Sequence, residues 1–171
     1  MSQINIRAAI PADADALAAL LNQIIKKGGT TAHLNLFDGP RLLNHYLAPP
    51  LAISCTVAEV GGTIAGFQSL EWSDPNWPGP DSLPADWALI ASFVDADFQG
   101  RGIGKALFTK TLAAAQSAGA RCIDATIRAD NQGGNAFYTS LGFSDYSRLR
   151  DIPLSDGTLV DRVRKKRDVS G

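Results

Sequence analysis

The stretch Trp87-Ala-Leu-Ile-Ala-Ser-Phe-Val94-Asp-Ala-Asp-Phe98-Gln99-Gly100-Arg101-Gly102-Ile103-Gly104-Lys105 decides the fold. Its first part, Trp87 to Val94, is an apolar run with the length of a strand. A short acidic turn, Asp95 to Phe98, follows. The glycine-rich segment then opens straight into a helix predicted from Gly102 to about Ala118, capped by Gly119. The first N–H groups of a helix have no internal partner, and the helix dipole places partial positive charge there. Glycines let an anion approach the backbone without a Cβ in the way. Arg101 and Lys105 add full charge. The segment therefore predicts a pyrophosphate site.

Outward from this stretch, the chain alternates strands and helices. Ile4, Ile6 and Ala8 predict a first strand. Pro11-Ala12-Asp13 predicts a helix start with Asp13 as N-cap, and Leu17, Leu20, Leu21, Ile24 and Ile25 form the stripe of an amphipathic helix that ends at Gly28-Gly29. Residues 30–38 carry no clear pattern. Asp38-Gly39-Pro40 starts a shorter helix to about Leu47, stopped by Pro49-Pro50. Strands at 52–60 and 63–72 flank a Gly61-Gly62 hairpin turn. The segment Ser73–Asp86 contains Pro75, Pro78, Pro80 and Pro84 and cannot be regular structure. It is either a binding loop or a surface excursion pinned by Trp77.

On the helix after the glycines, Ile103, Ala106, Leu107, Leu112 and Ala115 are expected to face the sheet. Another strand, Cys122–Ile127, a short helix, Asn131–Leu141, and strands near Ser144–Arg150 and Leu159–Arg164 complete the chain. The order β-α-α-β-β-β-α-β-α-β-β predicts a single domain over residues 1–171, with helices on both faces of a mixed sheet. The strand–helix–strand unit at 87–127 should place its two strands parallel.

Composition limits the function classes. The 171 residues carry 16 basic and 17 acidic side chains, a net charge of −1, which gives no general pull toward nucleic acid or membrane. No apolar run approaches the ~20 residues of a membrane span. The opening Met1 to Arg7 lacks a charged region followed by a long apolar one, so no signal peptide is expected. Cys55 and Cys122 fall in strands and are expected as buried free thiols, which fits a reducing, cytoplasmic setting. His33 and His45 have no further ligand at metal spacing, so no metal site is expected. The run Arg162-Val163-Arg164-Lys165-Lys166-Arg167 is expected to be the charged face of a last strand fraying into a tail. Glu59 is expected as an exposed strand-end charge.

The spacing of Gly100, Gly102 and Gly104 fits neither the dinucleotide-binding fingerprint nor a P-loop. Gln99-x-x-Gly102-x-Gly104 after an apolar strand resembles instead the acyl-CoA motif of the GNAT superfamily of N-acetyltransferases. Asn131, seven residues before Tyr138 and followed by Gly142-Phe143, is similar to that superfamily's next motif, in the same order and separation. Ile6-Arg7-Ala8 with Pro11-Ala12-Asp13-Ala14 is also like many bacterial members, and the finer likeness is to the small enzymes that acetylate phosphinothricin-like and other amino acids.

The resemblance implies a sheet of about seven mostly antiparallel strands, a splayed parallel central pair and about four helices. It implies acetyl-CoA as acetyl donor, a small-molecule amine as acceptor, and a homodimer. It places the cofactor on Phe93, Val94, Gln99, Gly100, Arg101, Gly102, Ile103, Gly104, Lys105, Asn131 and Tyr138. Val94 supplies a backbone N–H for the acyl oxygen, and Tyr138 is the proton donor to the departing thiol. The chain departs from members that carry a Glu six residues before the valine, since Ala88 stands there. Glu71, Asp86 and Ser92 are then the candidates for handling the amine proton, with Glu71 foremost. Acetylation of a protein N-terminus or lysine, and acyl-CoA binding without turnover, stay open as alternatives.

Overall fold

The computed structural model describes residues 3–79 and 81–170. Met1, Ser2 and Pro80, which entered the expectations above, lie outside the described residues. The seven strands are β1 (Ile4–Ala8), β2 (Ala52–Val60), β3 (Thr63–Trp72), β4 (Trp87–Val94), β5 (Cys122–Arg128), β6 (Ser144–Pro153) and β7 (Leu159–Asp168). The helices are α1 (Ala14–Lys27), α2 (Gly39–Leu42, continued by a wide turn over Leu43–Leu47), α3 (Ile103–Ala118) and α4 (Gln132–Ser140).

The strands form one sheet in the order β1-β2-β3-β4-β5-β7-β6. Every neighbour pair is antiparallel except β4–β5. That parallel pair is short. Trp87, Ala88 and Leu89 lie opposite Cys122, Ile123 and Asp124, and the register ends there. Beyond Leu89, β4 stays with β3 as far as Val94 while β5 stays with β7 as far as Arg128. The two strands therefore splay toward their C-terminal ends.

The apolar pattern explains the layers. On one face, Leu17, Leu20, Leu21 and Ile25 of α1 bury against Val57 and Phe67, with Phe37 and Leu42 closing the cluster. On the other, Ile103 and Leu107 of α3 pack on Ala58, Val60 and Ala65. Tyr138 and Phe143, in and after α4, pack with Ile90, Ile123, Ala125 and Ile127 beside the splay. The buried stripe of α3 is Ile103, Leu107, Phe108, Thr111 and Ala115. Ala106 and Leu112, expected on that stripe, are only half-buried. Thr111 can be hidden because its hydroxyl donates to the Leu107 carbonyl at 3.2 Å.

Other expectations change for electrostatic reasons. Asp13 does not cap α1. It sits in a short 3-10 turn with helical backbone and accepts two hydrogen bonds from Arg7, at 2.8 and 2.9 Å. Arg7 also binds Glu59, so that residue is a partly buried ion-pair partner rather than an exposed charge. Two carboxylates on one guanidinium pin β1, β2 and the α1 entry together. Asp38 does cap its helix, accepting from the Arg41 N–H at 2.8 Å. β7 runs on to Asp168, paired with β5, so the basic run is strand throughout and not a fraying tail. Trp77 is 55% exposed and belongs to no hydrophobic core cluster among the described residues. The 73–86 loop is held instead by the Ser73 hydroxyl on the Pro84 carbonyl at 2.7 Å and by Arg164 on the Asp81 carbonyl at 3.2 Å. Both cysteines are free and buried, as expected. No described helix is long and apolar enough to cross a membrane.

Arg7 holds the Asp13 carboxyl below its ordinary range, chiefly through their hydrogen bonds. A lowered folded pKa stabilises the fold above the ordinary carboxyl value near 4, and this support is lost as pH falls through the lowered value. Asp13→Asn is expected to cost about 1–2 kcal/mol at neutral pH, since water at the partly open Arg7 screens the pair. Urea unfolding at pH 7 and pH 3 should show the deficit shrinking in acid. An equal deficit at both would assign the loss to packing.

Candidate active site

The splay leaves an edge of β4 without a strand partner. Neighbouring residues of a strand direct their N–H groups to opposite edges. Asp95 N–H bonds to the Ala65 carbonyl of β3 at 2.8 Å. Val94, one residue earlier, therefore turns its N–H and carbonyl toward the gap. The Val94 carbonyl accepts from the Gln99 side chain at 3.1 Å, which ties the turn to the strand end. No β5 residue pairs with that edge, so the Val94 N–H is free for a ligand.

A cleft of about 510 Å³ opens from this edge. Phe93, Val94, Gln99, Gly100, Gly102, Ile103, Gly104, Lys105 and Asn131 all line it, as does Ser92. Gly100 and Gly102 have φ of +77° and +76°, a left-handed conformation that favours glycine, and a Cβ at either would meet nothing within 4 Å. The space in front of the α3 N-terminus is thus open to a ligand. Gly104 serves a different purpose: a Cβ there would lie 2.6 Å from the Phe137 ring, so its bareness lets α4 pack against α3. Ile103 lines the cleft and is also buried in the core.

Four predicted site residues, Arg101, Tyr138, Glu71 and Asp86, do not line the cleft. Arg101 stands outside, its guanidinium 5.1 Å from the centre of the Phe98 ring. Tyr138 is buried at 6% exposure. Its hydroxyl donates to Ser92 Oγ at 2.9 Å, and the fully buried Gln68 donates to the same oxygen at 2.8 Å. Burial pushes the Tyr138 phenol up to about 12. Tyr138 thus reaches the cleft through Ser92. The sequence signal for Gln68 was absent, because nothing local marks a glutamine whose partner lies 24 residues away.

Glu71 sits on the opposite face of the sheet from Ser92, half-buried, as the alternation along β3 and β4 requires. Burial, with Asp74 nearby, raises its carboxyl. Asp86 is removed from candidacy as a base. It is an exposed partner of Arg121 at 2.9 Å and precedes β4, at the end of the strand away from Val94.

Asn131 caps α4, accepting from the Gly134 N–H at 2.9 Å, and donates to the Thr30 carbonyl at 3.1 Å. Arg128 donates to the neighbouring Thr31 carbonyl at 3.1 Å. The unpatterned 30–38 segment is thereby tied to β5 and α4. It carries His33 into an aromatic wall with Phe37, His45, Tyr46 and Phe93. His33 Nε2 lies 2.5 Å from the Tyr46 hydroxyl. Burial, then the nearby charges of His45, Arg41 and Arg162, push His33 down to about 4, so it is neutral at pH 7 and shares one hydrogen bond with the Tyr46 hydroxyl. Among the described residues no group of three His, Cys, Asp or Glu side chains could hold a metal ion.

Known proteins with this fold include an N-acetyltransferase from Staphylococcus aureus. It superposes with a TM-score of 0.80 at 21% identity, covering 98% of this chain and 99% of that one. A structure of yncA from Salmonella typhimurium with its cofactor acetyl-CoA superposes with a TM-score of 0.79 at 20% identity, covering 98% and 95%. In sequence, the chain is 24% identical to the L-amino acid N-acyltransferase MnaT of Escherichia coli, over 92% of this chain and 90% of that protein. It is 36% identical over 89 residues to an uncharacterized N-acetyltransferase of Methanocaldococcus jannaschii, a match that spans 52% of this chain and 38% of that relative's length. The pattern of the acetyltransferase (GNAT) family matches residues 22–143, and the chain belongs to that family.

Proposed function

We propose that the chain is an acetyl-CoA-dependent N-acetyltransferase acting on the primary amine of a small molecule, with amino acids as the leading acceptor class. The observation that carries this reading is a single cleft with two features. It joins an open helix N-terminus behind Gly100 and Gly102 to an unpaired strand edge ending in a free Val94 N–H. A phosphate group fits the first and an extended, amide-bearing arm fits the second. The E. coli relative's name adds amino-acid acylation as the leading acceptor chemistry.

Acetyl-CoA supplies an activated acyl group when bound. The backbone from Gly100 to Lys105 would hold its pyrophosphate, with the Lys105 ammonium adding charge. The Val94 N–H would donate to the acyl oxygen as negative charge grows there. Ser92 Oγ already accepts from Gln68 and Tyr138, so its own proton is left to donate toward the cleft. Ser92 can offer that proton to the departing sulfur while Tyr138 replaces it from behind. A phenol near 12 is a much weaker acid than a thiol near ~8.5. The relay therefore assists late and does not drive the reaction. Glu71, which lies outside the cleft opposite Leu89, is the proposed acceptor of the amine proton by way of water, its raised carboxyl being a better base than an ordinary glutamate.

Acetyl-CoA consumption with a panel of primary amines tests the reading. Binding without thiol release for any amine would leave an acyl-CoA sensor. Ser92→Ala and Tyr138→Phe are each expected to lower kcat on the order of 10- to 100-fold with acetyl-CoA affinity unchanged. Full turnover in either would break the relay. Glu71→Gln should lower kcat/KM by about 100-fold and flatten its acid limb. A parental pH profile would exclude Glu71. Gly102→Glu is expected to abolish acetyl-CoA binding by calorimetry, while Gly102→Ala, which carries the backbone strain without the charge, should bind measurably. Equal loss in both would assign the effect to strain.

A further inference from the structure

Five of the six residues from Arg162 to Arg167 are basic, and β7 sorts them onto two faces. Lys165 and Arg167 point one way. Lys165 is buried on Asp145 and Thr139, and Arg167 donates to the Leu141 carbonyl at 2.9 Å. Arg162, Arg164 and Lys166 point the other way, opposite Arg128, Thr126 and Asp124 of β5. Lys166 lies 5.8 Å from the Trp87 and Tyr146 rings. Arg164 Nε stands 3.5 Å from the fully buried Asp124. Arg128 is taken by Asp130 at 2.8 Å and by the Thr31 carbonyl.

Arg162 alone in this set has no such partner. It is half-buried beside Arg128, its register neighbour, and no carboxylate among the described residues lies within 4.0 Å of it. Its Nε is buried without a hydrogen bond. A buried donor left unmade is costly, and an unpaired guanidinium beside a second one is more so. An anion arriving from solution at the half-buried guanidinium answers its unpaired charge. The planar fork of a guanidinium matches a carboxylate through two parallel hydrogen bonds.

The position fits an acceptor and not the acetyl donor. Arg128 and Arg162 stand at the C-terminal end of β5, the end toward which the parallel β4 runs to Val94. They share the face of the sheet that carries Glu71, under the wall built by His33 and Tyr46, and the Arg162 charge is felt at His33.

We propose that Arg162, supported by Arg128, seats the carboxylate of the acceptor, so that the enzyme selects primary amines that carry a carboxylate, such as α-amino acids, over the same amines with that charge removed. This rests on the acetyl-transfer reading above. It assigns selectivity to the β5–β7 side of the splay, where no local motif points.

The test compares L-leucine, L-phenylalanine and L-glutamine with their amides as acceptors. The amides present more neutral amine at pH 7, so a preference for the acids is not a reactivity effect. The acids are expected to have kcat/KM higher on the order of 10- to 100-fold, the worth of a buried charge-assisted pair. Arg162→Gln should erase that ratio by raising KM for the acids, with kcat and acetyl-CoA affinity kept, and Arg162→Lys should restore part of it. Amides turned over as well as acids, or an unchanged ratio in Arg162→Gln, would overturn the seat while leaving acetyl transfer intact. If none is acetylated, calorimetry of the same acids and amides with coenzyme A present decides. Acids binding at least about tenfold tighter, with loss in Arg162→Gln, would keep the seat and sink the transfer reading. Equal or absent binding would overturn the seat.

Discussion

The early parting of β4 and β5 is the constraint on which the rest of the structure depends. A parallel pair in the centre of a sheet normally satisfies its backbone along its whole length. Here pairing stops at Leu89 and Asp124, and the following β4 residues turn polar backbone groups into a gap. Buried N–H and C=O groups must find partners. Gln99 takes the Val94 carbonyl, and Tyr138 with Phe143 fills the space beside the strands with apolar surface. Among the groups left without a strand partner is the Val94 N–H, the donor proposed for the acyl oxygen.

The polar core beside the gap has the same logic. Gln68 is fully buried, spends its amide N–H on Ser92, and leaves its carbonyl oxygen without a partner. Keeping an amide there is expensive. It is explained if the orientation of the Ser92 hydroxyl matters more than the stability lost. A side chain that accepts twice has one direction left in which to donate, so Gln68 and Tyr138 together aim that proton.

Much of the fold was legible because its signals are local. The hairpin at Gly61-Gly62, the glycine stop of α1 and the strand–turn–helix from Trp87 each depend on residues within a few positions, and element order followed from them. The cleft-lining glycines and Asn131 were legible for the same reason. What escaped depends on partners far away in sequence. Asp13 carries an N-cap's chemistry, but Arg7 and the neighbouring strand outbid the helix for it. The stripe of α3 shifts onto Phe108 and Thr111 because Phe143 and the Leu107 carbonyl receive them. The basic run gave no hint of how its charges would be divided, since alternation becomes informative only once β5 and β6 supply the opposing residues. Trp77 was the opposite error, a large ring credited with burial that its proline-rich surroundings do not provide.

The splay also has a mechanical meaning. The sheet is two plates, β1 to β4 and β5 to β6, joined in hydrogen-bonding terms by a seam from Trp87 to Leu89. Just below it, the Arg121 N–H bonds to the Asp86 carbonyl at 2.9 Å, and their side chains form an ion pair. With so short a backbone seam, the union of the two plates falls to side chains: the core shared by Ile90, Ile123, Tyr138 and Phe143, and the bonds of Tyr138 to Ser92 and of Asn131 to Thr30, are the staples that make one cooperative unit of the sheet.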